Sequence, residues 1–286
     1  MQKISAIIPA GYGNATRFAP RLAENPIPFV AAFVPRTNGK ISAVIVAHNE
    51  EKKIAECLRS LAFANEIVVV LDKCTDRTKE IAQKFTNRIL EGSWEIEGAR
   101  RNVALSAASY EWILEIDADE RISAELAQEI LAIKNSEPCA FIAPIANYIG
   151  QRHVRFGWLR TLGVLQRQTL TYRGLKKYHE DKQIHPTYEL SAEVKFLKNP
   201  ITHLVDDDIS DLLSRFNRYT TWRANDLLFK NKAKKTCLFK AIFGFKIRFL
   251  KSFIAKKGYK EGSLGFLIAI LAGLYPLVSS LKANFK

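Results

Sequence analysis

Cysteine is scarce in this chain of 286 residues: Cys57, Cys74, Cys139 and Cys237 are the only four. None belongs to a Cys-x-x-Cys pair or lies near a histidine in metal-ligand spacing. Neither a disulfide framework nor a zinc centre is suggested, and a reducing cytosol fits best. No secretory signal is expected from the amino end as read, because its apolar run from Met1 to Ile8 is short before Pro9 and Gly11 interrupt it. Acids are nearly missing from the tail: from Lys230 onward, 13 Lys or Arg residues face the single acid Glu261, so most of the formal net charge of +14 resides there. Charge of either sign is absent from Ser263–Leu281, a run of 19 residues. Apolar content, by contrast, is 48%, enough for one large domain and an appendage and too much for a chain disordered throughout.

Three regions follow from the pattern. Residues 1–39 are rich in Pro and Gly and end in the turn-like Pro35-Arg-Thr-Asn-Gly39, an amino-terminal extension of uncertain order. Residues 40–208 carry the main domain and 209–286 a helical basic tail. Within the main domain, apolar β-like runs alternate with helical stretches. Strands are expected at Ile41–Ala47, Glu66–Leu71, Arg88–Leu90 and Trp112–Ile116, and helices at 50–62, 76–85 and Glu97–Ala108. Such alternation implies an α/β fold with a largely parallel sheet covered by helices on both faces. Right-handed crossovers would put a ligand at the carboxyl ends of the strands. Polar clusters fall there: His48-Asn49-Glu50, Asp72-Lys-Cys-Thr-Asp76 and Asp117-Ala-Asp119-Glu120.

Asp117 and Asp119 lie two apart, so an extended backbone points both side chains the same way. A divalent ion could bridge them to a diphosphate, since Mg²⁺ and Mn²⁺ take hard oxygen ligands from one or two carboxylates, phosphate and water. The alternative is that these acids merely start a helix at Ser123, where negative charge suits the helix dipole.

Four blocks, Ile41–Glu51, Ile67–Thr78, Gly98–Asn102 and Trp112–Glu120, together resemble family 2 glycosyltransferases in order and spacing, and in particular the bacterial branch that adds sugars to the lipopolysaccharide core. The resemblance implies a GT-A fold, a nucleoside diphosphate sugar donor and a divalent metal. It implies that Asn49 and Glu50 hold the nucleoside, that Asp72 accepts a hydrogen bond from a uracil-like base, and that Arg101 and Asn102 approach the diphosphate or sugar. Asp117 would bind ribose or sugar hydroxyls, and Asp119 would be the direct metal ligand. Asp76 would fix its loop or cap the next helix, while Arg100 or Arg101 has the alternative of a solvated helix face.

Beyond Pro144 the alternation fades. The resemblance implies a His-Glu dipeptide followed at a set interval by another His; His185 and His203 have that spacing, but Pro186 stands where the glutamate is expected. Direct displacement at the anomeric carbon needs a carboxylate to take the acceptor's proton, and Glu189, Glu180 and Asp181 are the candidates. His203 would complete the metal sphere or meet the diphosphate, or be hydrogen-bonded at a strand end. Asp206-Asp-Asp208 reads as a solvated start to a helix over 209–229.

In the tail, Leu238–Ile254 reads as an imperfect amphipathic helix, interrupted by Lys246, and Ser263–Leu281 as a shallow or re-entrant insertion in preference to a span. Lysines interleaved with aliphatics favour an anionic membrane surface over nucleic acid as the acidic partner. The combined expectation is an inverting hexosyltransferase using a UDP-sugar and a lipid-linked or lipopolysaccharide-core acceptor, at the cytoplasmic face of the inner membrane. The alternative is a membrane-bound adaptor that keeps the nucleotide-binding fold without catalysis.

Overall fold

The structure is a computed structural model and describes residues 8–9, 39–133, 136–158, 165–181, 186–229 and 238–285. Most of the amino-terminal extension, His185, Cys237 and the lysines from 230 to 235 lie outside the described residues. The chain divides into two compact units, one of Met1–Ile145 with Val164–His203 and one of Ala146–Gly163 with Leu204–Lys286.

The first unit is built on parallel strands. After a two-residue β1 (Ile8–Pro9) come β2 (Ile41–Ala47), α1 (Ile54–Ser60), β3 (Glu66–Asp72), α2 (Thr78–Ala82), β4 (Ile89–Gly92), α3 (Glu97–Ala107) and β5 (Trp112–Asp117). They are followed by β6 (Glu120–Arg121), α4 (Ala124–Ile133), β7 (Ala140–Ile149), β8 (Arg152–His153), β9 (Gln166–Tyr172), β10 (Lys176–Tyr178), β11 (Thr187–Leu190), β12 (Val194–Phe196) and β13 (Ile201–Asp206). The main sheet has the order β4-β3-β2-β5-β9-β7-β13-β6, and β12 and β8 pair with β7; β1-β11-β10 form a smaller sheet. β2 pairs in parallel with both β3 and β5, and β3 with β4, whereas β9 runs antiparallel between β5 and β7.

The two-residue period of a strand assigns each side chain to a face. Ile41, Ala43, Ile45 and Ala47 of β2 join Val69, Leu71, Trp112, Leu114 and Ile116 in a core that also takes Ile54 and Leu58 from α1 and Leu126 and Ile130 from α4. Val44, Val68, Val70 and Ile113 face the other way, against Ala104 and Ala108 at α3. Trp112 is fully buried and meets Tyr172 edge-on, with ring centroids 5.4 Å apart. Glu115 and Asp117 occupy the α3-facing alternation of β5, which is why they meet polar groups from α3 and β10.

Two helices begin later than the sequence predicts, for one local reason. The backbone turns at Asn49, whose φ is 55°. Glu50 N–H then donates to Thr78 Oγ1 at 2.8 Å and Glu51 N–H to Asp76 Oδ2 at 3.0 Å. Residues 50–53 are therefore a turn that ties two loops together, and α1 starts only at Ile54. Asp76 Oδ1 likewise accepts from Thr78 N–H at 3.0 Å, so α2 begins at Thr78.

In the second unit α5 (Ile209–Phe229), α6 (Leu238–Leu250) and α7 (Gly262–Asn284) are joined by a π-turn over Lys251–Ala255 and a 3₁₀ turn over Gly258–Glu261. Asp208 Oδ1 accepts from Asp211 N–H at 2.9 Å at the start of α5, while Asp206 is buried and paired with Arg215 at 2.7 Å. The uncharged segment lies within α7, one continuous helix that contains Pro276 and is long and apolar enough to cross a membrane by length and composition. Ile149, Val154, Leu212, Ile268 and Leu271 form this unit's apolar cluster.

One close approach governs how α3 reaches the small sheet. A Cβ on Gly98 would fall 2.1 Å from the carbonyl oxygen of His179, just past the end of β10. Gly98→Val is expected to push α3 away from β10 and to destabilise the fold by about 1–3 kcal/mol. Urea unfolding measures this; an unchanged midpoint would mean that the contact gives way without consequence.

Candidate functional site

The loops after β2, β3 and β5 are knit to one another by their own polar side chains. Asn49 Oδ1 accepts from Thr75 N–H at 2.8 Å, fastening the loop after β2 to the loop after β3. His48 Nδ1 lies 2.6 Å from the Asp72 carbonyl oxygen. The Asp72 carboxylate is buried at 4% exposure and accepts from Trp94 N–H at 3.0 Å and from Arg100 at 2.5 Å. Arg100 is thus drawn inward, and so is its neighbour Arg101; neither forms a solvated helix face.

Arg101 donates through Nε to Glu97 at 2.9 Å, stands 3.4 Å from Asp117 Oδ1 and lies over the Tyr178 ring, 5.7 Å from its centroid. Asn102 is engaged with the backbone of β10: its Nδ2 donates to Tyr178 O at 2.9 Å and to Glu180 Oε1 at 2.9 Å, and its Oδ1 accepts from Tyr178 N–H at 2.8 Å. Beneath them Glu115 accepts from Lys176 at 2.5 Å and from the Tyr178 hydroxyl at 2.7 Å, all three residues being buried. Burial pushes Lys176 down to about 8, against the opposing charge of Glu115.

The centre of the edge is Arg167 of β9. One of its terminal nitrogens donates to Asp117 Oδ2; the other donates to Glu120 Oε2 and, at 3.0 Å, to the Glu115 carbonyl oxygen. Glu120 Oε2 also accepts from Asp117 N–H at 3.0 Å, which closes the turn between β5 and β6 on itself. Asp117 is therefore faced by two guanidiniums. Burial would raise its carboxyl, but Arg167 and then Arg101 hold it well below the usual carboxylate range. Glu120, 4% exposed, is pushed up to about 7 by burial, with Arg167 opposing and Asp117 adding to the rise.

Asp119, two residues past Asp117, has a different neighbour. β13 pairs antiparallel with β6 so that His203 is opposite Glu120. This register brings His203 Nε2 to 3.3 Å from Asp119 Oδ2. Burial alone would lower the imidazole, yet its hydrogen bond to Asp119 and the charges of Asp119, Glu120 and Asp117 leave it raised above its ordinary value. Among the described residues no three His, Cys, Asp or Glu groups form a ready metal cage. One carboxylate and one imidazole make a donor pair that fits Mn²⁺ better than Mg²⁺, which prefers oxygen ligands, with the remaining positions left for phosphate and water oxygens.

The candidate proton acceptors are placed differently. Glu180 is oriented by Asn102. Glu189, on β11, keeps 56% of its side chain exposed, with its carboxylate 3.8 Å from His179 Nε2. Asp181 is exposed in the turn after β10. Glu50 is partly buried and is pushed up to about 7, first by burial and next by the charge of Asp119, with Lys53 opposing.

Arg167, Glu115 and Lys176 were not singled out by sequence reasoning. Glu115 left a signal, an acid inside the apolar run Trp112–Ile116. Arg167 left none, since an arginine in an alternating strand ordinarily faces water.

An α/β sheet that is parallel through its first half, with acids and arginines gathered at its carboxyl edge, is the arrangement that the resemblance to family 2 glycosyltransferases implies. Residues 42–191, more than half of the chain, match the Glycosyl transferase family 2 model, and the chain belongs to that family. It is 25% identical over 258 residues to the lipopolysaccharide core biosynthesis glycosyltransferase LpsC of Rhizobium meliloti (strain 1021), covering 85% of this chain and 91% of that protein. It is 26% identical over 249 residues to an uncharacterized glycosyltransferase of Rickettsia prowazekii (strain Madrid E), covering 81% of this chain and 82% of the relative. Among solved structures, residues 1–349 of S. aureus TarS align with a TM-score of 0.44 and 19% identity over 85% of this chain and 88% of that one. The family and the fold class expected from the four motif blocks are those found.

Two outcomes follow from this geometry. Arg167→Ala leaves buried Glu120 without its cation and Asp117 with Arg101 alone, and the unfolding free energy is expected to fall by about 3 kcal/mol. Arg167→Lys should regain part of it, and chemical denaturation of both variants decides the matter. Glu50, raised in the folded state from 4.5 to about 7, contributes its stability in full below pH 4.5 and loses it as pH climbs toward 7. In metal-free protein, Glu50→Gln should flatten the decline in unfolding free energy between pH 5 and pH 7, with Glu120 and, toward pH 7, His203 accounting for what remains. An equally steep decline in the variant would refute the assignment to Glu50.

Proposed function

We propose that the protein is an inverting hexosyltransferase that takes its sugar from a nucleoside diphosphate donor, a UDP-sugar, and passes it to a lipid-linked or lipopolysaccharide-core acceptor at the cytoplasmic face of the inner membrane. The observation that carries this reading is the division of labour between Asp117 and Asp119. Two arginines neutralise the first, while the second stands beside His203 at the same strand edge. The similarity to LpsC along 85% of the chain supports the core-sugar acceptor class.

In this reading Asn49, Glu50 and Asp72 border the nucleoside, with the loops after β2 and β3 held to one shape by the Asn49–Thr75 bond. Asp117 meets ribose or sugar hydroxyls. Arg101 and Asn102, engaged by Asp117 and by β10, act by positioning these groups. Asp119 and His203 would hold the divalent ion. When bound, Mg²⁺ or Mn²⁺ supplies a positive charge that stabilises the departing diphosphate. The acceptor hydroxyl gives its proton to a carboxylate, its oxygen forms a bond to the anomeric carbon, and the donor's bond to the diphosphate breaks with the electron pair leaving on the nucleotide. Of Glu180, Asp181 and Glu189, we take Glu180 as the acceptor of that proton, a reading supported by the hydrogen bond from Asn102 that orients its carboxylate.

Asp119→Ala should leave the thermal midpoint within a degree or two, since its side chain is 32% exposed, while metal-dependent release of UDP from UDP-sugars falls by about 10²-fold or more. Full turnover in this variant would sink the metal assignment. Binding of UDP-sugar with no turnover by the wild-type chain, across core-oligosaccharide and lipid-linked acceptors, would favour the adaptor instead.

A further inference from the structure

The second unit offers two apolar helices to a membrane, and their surroundings separate them. α7 passes the length and composition test for a span, yet it is gripped within its own unit. Ile268, Ala269, Leu271, Ala272 and Gly273 are buried. A Cβ on Gly273 would fall 2.5 Å from the Phe245 ring of α6, so the two helices touch through a position that only glycine fills. Phe266 of α7 meets Phe249 and Phe253 edge-on at 5.6 and 5.8 Å. At its carboxyl end Lys282 Nζ donates to the Asn217 backbone oxygen at 2.8 Å and to Thr220 and Thr221 of α5 at 2.9 and 2.8 Å. These contacts commit one side of α7 to its own unit, while Phe266 and Leu281 keep 48 and 41% exposure.

The outward side of α6 and the π-turn after it is different. Phe243, Ile247, Leu250 and Ile254 are exposed at 60, 49, 49 and 58%. At about 100° per residue Phe243, Ile247 and Leu250 fall within one arc of about 60°, and exposed Ile254 follows in the π-turn. Exposed Lys246 and Lys251 border that arc on its two sides, and Phe245, Phe249 and Phe253 lie off it, stacked on one another. An apolar ridge between lysines, in a region where 13 basic residues face one acid, matches an anionic lipid surface in both hydrophobicity and charge.

We infer that the outer face of α6, Phe243-Ile247-Leu250-Ile254 with Lys246 and Lys251, is the element that docks on anionic lipid, and that α7 is an internal strut that stays out of the bilayer. This deepens the membrane placement proposed above. The sequence reading had divided the membrane contact between both segments; the packing assigns it to one.

The test uses the full chain and sedimentation with phosphatidylcholine vesicles with or without phosphatidylglycerol, alongside UDP release measured without vesicles. Wild-type protein is expected to partition onto the anionic vesicles, less so as salt rises. F243E/I247E should weaken this by about tenfold or more, and K246E/K251E by about fivefold per lysine. Both variants should keep the thermal midpoint and the vesicle-free UDP release, because every altered residue is exposed and outside the catalytic machinery. Undiminished vesicle binding by F243E/I247E would overturn the inference. So would wild-type protein that resists an alkaline carbonate wash, the behaviour of a spanning α7, or a lipid-free dimer that F243E/I247E converts to monomer without loss of vesicle binding, the behaviour of a face that joins two copies. Loss of UDP release with vesicle binding intact bears on the transferase reading alone, so the two can fail separately.

Discussion

A single guanidinium organises the edge of the sheet. Arg167 reaches from an antiparallel strand to Asp117 and Glu120 at once, and the carboxylates of that turn divide into different roles because of it. Two acids separated by two residues and half withdrawn from water would repel each other, and one would take up a proton. With Arg167 between them, Asp117 stays charged while Glu120 bears the cost of burial. The turn between β5 and β6 is then closed by the Asp117 N–H to Glu120 bond, and it carries Asp119 to His203. Buried ion pairs of this kind contribute little net stability but fix geometry strongly, because any alternative arrangement leaves a charge unpaired.

Further polar contacts on the α3 side of the sheet serve the same end. Glu115, Lys176 and Tyr178 satisfy one another inside the protein, and the Tyr178 backbone is held on both its N–H and its carbonyl by Asn102. Arg101 lies over the Tyr178 ring and faces Asp117. The small sheet is thereby linked to α3, and α3 to the end of β5, so the positions of Arg101 and Asn102 are set by strands far away in sequence.

Much of the framework was legible beforehand. The strands at 41–47 and 66–72 and the core they form follow from alternation, since a strand buried on both faces must be apolar at every position. Helix ends were read less well. The apolar spacing of Ile54, Leu58 and Leu61 extends a helix back to residue 50, whereas Glu50 and Glu51 give their N–H groups to Thr78 and Asp76. A hydrogen bond to a residue some 25 positions away leaves no trace in local periodicity. The tail was half legible in the same sense: composition marked both α6 and α7 as apolar, but burial, and with it which face meets the surroundings, belongs to their packing.

By itself the sequence determined that this chain is a family 2 glycosyltransferase with a mostly parallel sheet, and that Asp72, Asp117 and Asp119 lie at strand ends. Strand period and the order of four motif blocks suffice for that, because both are local or nearly so. Only the tertiary structure decided that Asp117 is held by two arginines while Asp119 is paired with His203. Arg101 comes from α3, 16 residues before Asp117, but Arg167 of β9 and His203 of β13 lie 50 and 84 residues from their acids. Whether a carboxylate is neutralised or left available depends on the charges within a few ångströms of it, and those are set by the register between distant strands.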